Sequence, residues 1–230
     1  MLEKLAKQTA VYGISTIAVR FLSYLLTPVF TRVFEPEAYG IVTDVYALIP
    51  FALVVLTMGL ESAYFRFAAK ADAAAAAAGG TEGEIAAQAR AGKRRLFATA
   101  WGVTLLAASL FFLLTAFGRE RVAEWMGEAY VAHPEYVLLV AAVVWFDVAA
   151  CLPFSRLREQ GRAMTFVGIK ALGVVVNVAL AIGFALAGLY GTPFGVGWVF
   201  VANLIASAVT FNVILLTTDR TVPRIDRRLL

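Results

Sequence analysis

The sequence has few groups that could perform chemistry, with one cysteine and one histidine in 230 residues. The lone Cys151 cannot form an internal disulfide, a zinc ribbon, an iron–sulfur cluster or a CxxC redox site. The lone His133 leaves no histidine cluster to hold a metal ion. No Ser-His-Asp set, H-E-x-x-H motif or P-loop is present. We therefore expect no cofactor, no metal site and no enzymatic activity.

Charge is scarce as well: 16% of the residues are charged, 61% are hydrophobic and the mean hydropathy is +0.79. Soluble domains average about 45–50% apolar and about 25% charged residues. This composition excludes a soluble globular domain, and it also excludes intrinsic disorder, which requires low hydrophobicity. It predicts an all-α polytopic membrane protein.

Apolar runs of about 20 residues, the length at which a helix crosses a bilayer, predict six spans. The clearest run follows Arg95 and ends before Arg119, with no charge between them. Residues 171–218 are also uncharged but too long for one span, and Gly191 and Pro193 divide them. The six predicted spans are 8–31, 39–66, 96–118, 136–155, 164–188 and 194–217.

Most of the basic residues fall on one side of these spans, namely in the N-terminus, in residues 67–95 and 156–163, and in the tail. The positive-inside rule places both termini in the cytoplasm. The pI of about 9.3 then reflects topology, and we expect no nucleic-acid partner. The run Ala73–Ala78 and its following glycines mark 67–95 as a low-complexity cytoplasmic loop, either a frayed helix or a flexible linker.

Five ionisable residues lie inside the predicted spans, where each needs a partner or a wet cavity. They are Arg20, Asp44, Glu61, Asp147 and Lys170. Matching their depths suggests two ion pairs, Arg20 with Asp147 and Lys170 with Glu61. Such pairs either fix helix packing or line a polar cavity, in which the three carboxyls become candidates for ion coupling.

Two polar stripes follow the helical period on the last two spans. We interpret the first stripe as a cavity lining and favour interhelical hydrogen bonding for the second. The stripes are Lys170, Gly173 and Asn177 on the fifth span, and Asn203, Ser207 and Thr210 on the sixth.

Several stretches resemble signatures of bacterial polysaccharide exporters. Thr31–Gly40 resembles the TR-x-x-x-P-x-x-YG signature, and Gly59–Phe67 resembles GL-x-x-x-x-x-RF. The stretch from Arg156 to Arg162, then Asn177, then Gly188 to Gly197, is similar to the fourth-to-sixth-span region of the same family. These exporters are the Wzx-type lipid-linked oligosaccharide flippases of the MOP (multidrug/oligosaccharidyl-lipid/polysaccharide) superfamily. The motif residues here are Arg32, Pro36, Tyr39, Gly40 and Arg66.

The resemblance implies two six-helix lobes facing a central cavity, with this chain as the N-terminal lobe. It implies that an undecaprenyl-pyrophosphate-linked glycan moves across the bacterial inner membrane, with membrane lipids and a second lobe as further partners. Arg20, Lys170 and Asn177 become candidates for contact with the substrate. We expect the chain to be a fragment of a longer transporter, or else a half-transporter that dimerises.

Two other functions remain open at this point. A small-molecule or drug antiporter of the same superfamily would have a smaller, more acidic cavity. A non-transporting membrane scaffold subunit would tolerate neutral replacements of Arg20 and Lys170 as long as helix packing survived.

Overall fold

The computed structural model describes residues 26–218, and every regular element in that range is a helix. The all-α prediction is therefore confirmed for this part of the chain. The α-helices are α1 (Thr27–Val33), α2 (Pro36–Thr57), α3 (Leu60–Ala78), α4 (Glu82–Phe117), α5 (Arg119–Met126), α6 (Glu128–Val131), α7 (Pro134–Glu159), α8 (Ala163–Leu186) and α9 (Gly197–Thr217). A short 3₁₀ helix, Leu189–Gly191, connects α8 to α9.

Five segments are long and apolar enough to cross a membrane: α2 with α3, α4, α7, α8 and α9. The chain is thus a multi-pass membrane protein. Apolar side chains stand exposed on these helices, including Phe117, Leu186 and Leu216, as expected for a surface that faces lipid. Most of the first predicted span, 8–31, lies outside the described residues, so six spans and a complete six-helix lobe remain predictions.

Helix α7 is the centre of the helix bundle. It packs against α2, α3, α4, α8 and α9, and small or β-branched residues such as Val148 and Ala149 are fully buried on it. The indole nitrogen of Trp101 on α4 donates a hydrogen bond of 2.9 Å to the Ala149 carbonyl. The indole nitrogen of Trp145 lies 3.1 Å from the Ser109 hydroxyl on α4. These contacts hold α4 and α7 side by side.

The predicted second span, 39–66, is divided into two helices by the backbone. Met58 and Gly59 have φ angles of 48° and 70°, in the left-handed region, so α2 ends and α3 begins there. This conformation costs an L-residue about 1–2 kcal/mol relative to the right-handed helix. Gly59 adopts it easily, whereas Met58 is the one non-glycine residue within 26–218 that does so.

Residues 67–95 form the ends of two long helices that pair as a hairpin around Gly79–Thr81. Thr81 and Glu84 form a capping box, in which the Glu84 carboxylate accepts a 2.9 Å bond from the Thr81 amide. The helices approach closely at Gly92, where an added Cβ would lie 3.4 Å from the Ala71 Cβ. The alanine run favours helix because alanine has the highest helix propensity.

Candidate functional site

A cavity of about 660 Å³ lies among α1, α2, α7, α8 and α9, inside the membrane-spanning part of the protein. Its volume falls within the range of ligand pockets, about 300–1,000 Å³. Its lining combines one acid and one base with several hydroxyl and amide side chains. The lining residues are Leu26, Thr27, Phe30, Tyr39, Val42, Thr43, Tyr46, Pro50, Asp147, Lys170, Gly173, Val174, Asn177, Asn203, Ala206, Ser207 and Thr210.

One face of α2 forms the first wall. Tyr39, Thr43, Tyr46 and Pro50 recur every three or four residues, which places them on one side of the helix. Tyr39 belongs to the first family signature, and the structure now gives it a place at the cavity. Sequence reasoning did not single out Thr43 or Tyr46, although their spacing from Tyr39 was a detectable signal.

The Lys170 stripe on α8 forms the second wall. The Lys170 ammonium lies 4.2 Å from the ring centre of Phe154, a cation–π contact. The side-chain oxygen of Asn177 is buried and has no hydrogen-bond partner among the described residues. Asn177 and Tyr46 both line the cavity, and their side chains lie close enough to interact. A buried acceptor without a partner is available to a bound donor.

The Asn203 stripe on α9 forms the third wall, so its side chains line the cavity instead of only joining helices. Close packing between α8 and α9 explains why these side chains reach the cavity. Gly173 has no side chain, and an added Cβ there would collide with the Thr210 hydroxyl. This approach brings Ser207 and Thr210 next to the Lys170 stripe.

Asp147 projects from α7 and is the one carboxylate among the residues that line the cavity. It lies near the Ser207 hydroxyl and close enough to Lys170 for the two charges to interact. No ion pair shorter than 4 Å joins Asp147 to another residue of the described range. The cavity therefore holds opposite charges on facing helices without a direct bridge between them.

Glu61 does not pair with Lys170, in contrast to the pairing suggested by depth. Its carboxylate forms an ion pair with Arg158 and accepts a 3.0 Å hydrogen bond from Ser155. Helix α3 packs against α4 and α7, so Glu61 on α3 contacts α7 at Ser155 and Arg158. Lys170 on α8 also contacts α7, but at Phe154. Equal depth did not reveal which helices are neighbours.

The remaining predicted residues lie away from the cavity or outside the described range. Arg20 is outside it, so its role and its pairing with Asp147 stay predictions. Asp44 is exposed on α2. Burial, assisted by the nearby Asp44 charge, raises the pKa of Tyr130 to about 12. Arg32 and Arg66 are exposed, Arg32 in the last turn of α1 and Arg66 in the second turn of α3.

Two other motif residues, Pro36 and Gly40, belong to α2 but do not line the cavity. Pro36 opens the helix at a position where its missing N–H costs nothing. Gly40 lies within the helix, and an added Cβ there would meet nothing within 4 Å. Within this structure, Tyr39 is therefore the motif residue that reaches the cavity.

Comparison with known proteins identifies the family. No curated protein and no solved structure matches the chain. A family model described as "Polysaccharide biosynthesis protein" matches residues 5–226, which is nearly the whole sequence. The chain thus belongs to the polysaccharide biosynthesis protein family, that of the MOP-superfamily polysaccharide and O-antigen flippases, whose members are transporters rather than enzymes.

Proposed function

We propose that this protein moves an undecaprenyl-pyrophosphate-linked oligosaccharide across the bacterial inner membrane, with this chain as the N-terminal lobe of the transporter. It forms and breaks no covalent bond. Family membership supports a role in polysaccharide export. The observation that carries the proposal further is the polar cavity between apolar helices, with Lys170 on its wall.

The neutral lining suits a glycan. Hydroxyl and amide side chains both donate and accept hydrogen bonds, as sugar hydroxyls do. The cavity presents such groups from α1, α2, α8 and α9, so a sugar inside it meets them on several sides. The Asn177 oxygen supplies an acceptor whose hydrogen-bonding capacity is not met by any residue of the range 26–218. Binding a sugar hydroxyl there would remove an unsatisfied buried group.

Lys170 suits the phosphate end of the same substrate. Its ammonium carries three donors and a full charge, and lysine binds phosphate as a point charge. We propose Arg20 as a second cation for the pyrophosphate, on the basis of its predicted depth in the first span. The lipid tail would remain in the bilayer beside the apolar outer surface of the helices.

Asp147 is the best candidate for ion coupling. A phosphate bound to Lys170 would compete with Asp147 for the lysine charge and leave the carboxylate without its counter-charge. Uptake of a proton or a cation would then restore neutrality in a low-dielectric site. Glu61 is less suited because Arg158 already neutralises it, and Asp44 because it is exposed.

One lobe supplies one side of such a path, and we propose that a second six-helix lobe completes it. That lobe would belong either to the same longer chain or to another subunit. The helices would then rock to open the cavity alternately to each side, with both termini of this lobe in the cytoplasm.

Neutral replacement of Lys170 in the native transporter tests this function. We expect Lys170→Gln to reduce glycan export at least tenfold in a complementation assay, at equal protein level in the membrane. Lys170→Arg should retain most export, since the charge is kept. Arg119→Gln, at an exposed position on α5, is the matched control.

The same strains separate the alternatives. Normal export with Lys170→Gln would contradict the proposal and favour a scaffold subunit. Efflux of cationic dyes that is lost in Asp147→Asn, without any change in glycan export, would indicate a drug antiporter instead.

A further inference from the structure

Basic side chains surround the base of the α3–α4 hairpin, where it leaves the apolar part of the protein. All of them are exposed. They form what we call the basic belt: Arg66 and Lys70 on α3, with Arg90, Arg94 and Arg95 on α4.

The hairpin pairing places these residues at similar heights. Gly92 lies against Ala71, and the Lys93 ammonium lies 2.7 Å from the Asp72 carboxylate. At about 1.5 Å per residue, Arg66 and Lys70 span about 6 Å along α3, and Arg90 to Arg95 span about 7.5 Å along α4. A bilayer has about 5–8 Å of headgroup region on each side of its hydrocarbon core. In this antiparallel register Arg66 lies level with Phe97, so the basic belt covers seven residues in height, about 10.5 Å. The belt therefore spans one headgroup layer and its border with the hydrocarbon, where long Arg and Lys side chains reach toward the headgroups.

The belt also begins at the edge of the apolar region. The uncharged run of α4 starts at Leu96, directly after Arg94 and Arg95. On α3, Arg66 comes before the half-exposed Phe67, whose ring lies 5.3 Å from the Lys70 ammonium. This sequence of apolar helix followed by cations is the arrangement found at a membrane surface.

Carboxylates of the described residues do not neutralise the belt. Lys93, which is not a member of it, pairs with both nearby acids, Asp72 and Glu159, at 2.7 Å each. Within residues 26–218 no ion pair joins any belt residue to a carboxylate. With respect to residues 26–218, the belt thus presents positive charge that is available to an external anion.

We propose that the basic belt binds the headgroups of anionic phospholipids, such as phosphatidylglycerol. Basic clusters next to a membrane-spanning helix attract anionic lipids, and a guanidinium can bind one phosphate through two parallel hydrogen bonds. The charges point to different sides of the hairpin within about 10.5 Å of height, since neighbours such as Arg94 and Arg95 are separated by about 100° around the helix. A layer of headgroups around the hairpin fits this arrangement better than a protein docked on one face.

Lipid preference of the full chain in nanodiscs tests the proposal. Spin-labelled phosphatidylglycerol and phosphatidylcholine would be compared by the motionally restricted fraction in their EPR spectra. We expect wild type at 50 mM salt to prefer phosphatidylglycerol at least threefold. A variant with all five belt residues changed to Gln should lose this preference. A variant with the four belt arginines changed to Lys should keep most of it.

Controls identify the source of any effect. The triple variant Arg32→Gln, Arg119→Gln and Arg121→Gln removes exposed charges outside the belt and should leave the preference unchanged. In wild type, 1 M salt should abolish the preference, because the Debye length falls to about 3 Å. Inorganic phosphate should displace the lipid no more than chloride of equal ionic strength does.

Several results would overturn the assignment. These are no preference in wild type, a preference that survives 1 M salt, or an equal loss in the triple control. Stronger displacement by inorganic phosphate would indicate a free-anion site instead of a lipid surface. The wild-type salt series decides the question even if the five-residue variant fails to fold.

Discussion

Helices α7 and α2 both contribute to the cavity, yet they are packed very differently. Fifteen of the 26 residues of α7 are buried, against four of the 22 residues of α2. On α2, Phe51 and Val55 are 68% and 53% exposed and lie on a different side of the helix from the cavity residues. Helix α7 is therefore a packed centre that holds Asp147 in place, whereas α2 is a thin wall with the cavity on one face and lipid on the other.

The difference separates stability from substrate contact. A change on α7 removes contacts with several helices at once, so its first effect is on folding. A change on the cavity face of α2 removes few packing contacts, so its first effect is on binding. The two helices can be compared by matched substitutions.

The largest effect is expected from the core of α7. Leu152 is 0% exposed, so Leu152→Ala leaves a void and should lower the free energy of unfolding by about 2–5 kcal/mol. Val54→Ala on α2, at a position 70% exposed, should change it by less than about 0.5 kcal/mol. Denaturant titration in detergent micelles measures both. Similar losses in the free energy of unfolding at Leu152 and Val54 would show that α7 is no more tightly packed than α2.

The junction at the end of α2 should give the next largest effect. A Cβ at Gly59 would meet nothing within 4 Å, so Gly59→Ala is penalised only through its φ of 70°, by about 1–2 kcal/mol. The control is Gly40→Ala, equally open but within the helix, which should stabilise by about 0.5–1 kcal/mol. If both substitutions stabilise the protein in thermal unfolding, the backbone break is absent in solution.

A change on the cavity face of α2 should affect transport alone. Tyr46→Phe removes a hydroxyl that lies close to Asn177 and should reduce glycan export about three- to tenfold, the worth of one hydrogen bond. The melting temperature should stay within about 2 °C of wild type. A lower melting temperature together with unchanged export per folded molecule would contradict this prediction.

The smallest effect is expected from a polar contact between α7 and α4. A double-mutant cycle with Trp145→Phe and Ser109→Ala isolates their 3.1 Å hydrogen bond. Such bonds in membrane proteins average about 0.6 kcal/mol, because the unfolded helices also find partners. A coupling above about 2 kcal/mol would show that polar contacts, and not apolar packing, dominate the attachment of α7.

The helices themselves were largely predictable. The predicted span 194–217 compares with Gly197–Thr217, and 164–188 compares with Ala163–Leu186. Length and hydropathy are local properties of the chain, so a window of sequence contains them. The Lys170 stripe was predictable for the same reason, since helical spacing alone puts its members on one face.

Features that depend on which helices lie side by side were not predictable from the sequence. Nothing in the sequence states that α3 adjoins α7, so the pairing of Glu61 with Arg158 was missed. The break at Met58 depends on a backbone conformation that methionine does not favour alone, and packing of α3 against α4 and α7 accompanies it. The place of Ser207 at the cavity depended on the close approach of Gly173 to Thr210.

The tight turn at Gly79–Thr81 influences the order of assembly during synthesis. The hairpin joins residues close in sequence, such as Ala71 and Gly92, whereas Trp101 and its partner Ala149 are 48 residues apart. Contacts across short loops form sooner because closing them costs less chain entropy. Contacts within the α3–α4 pair therefore form ahead of the contacts that attach α7 to α4.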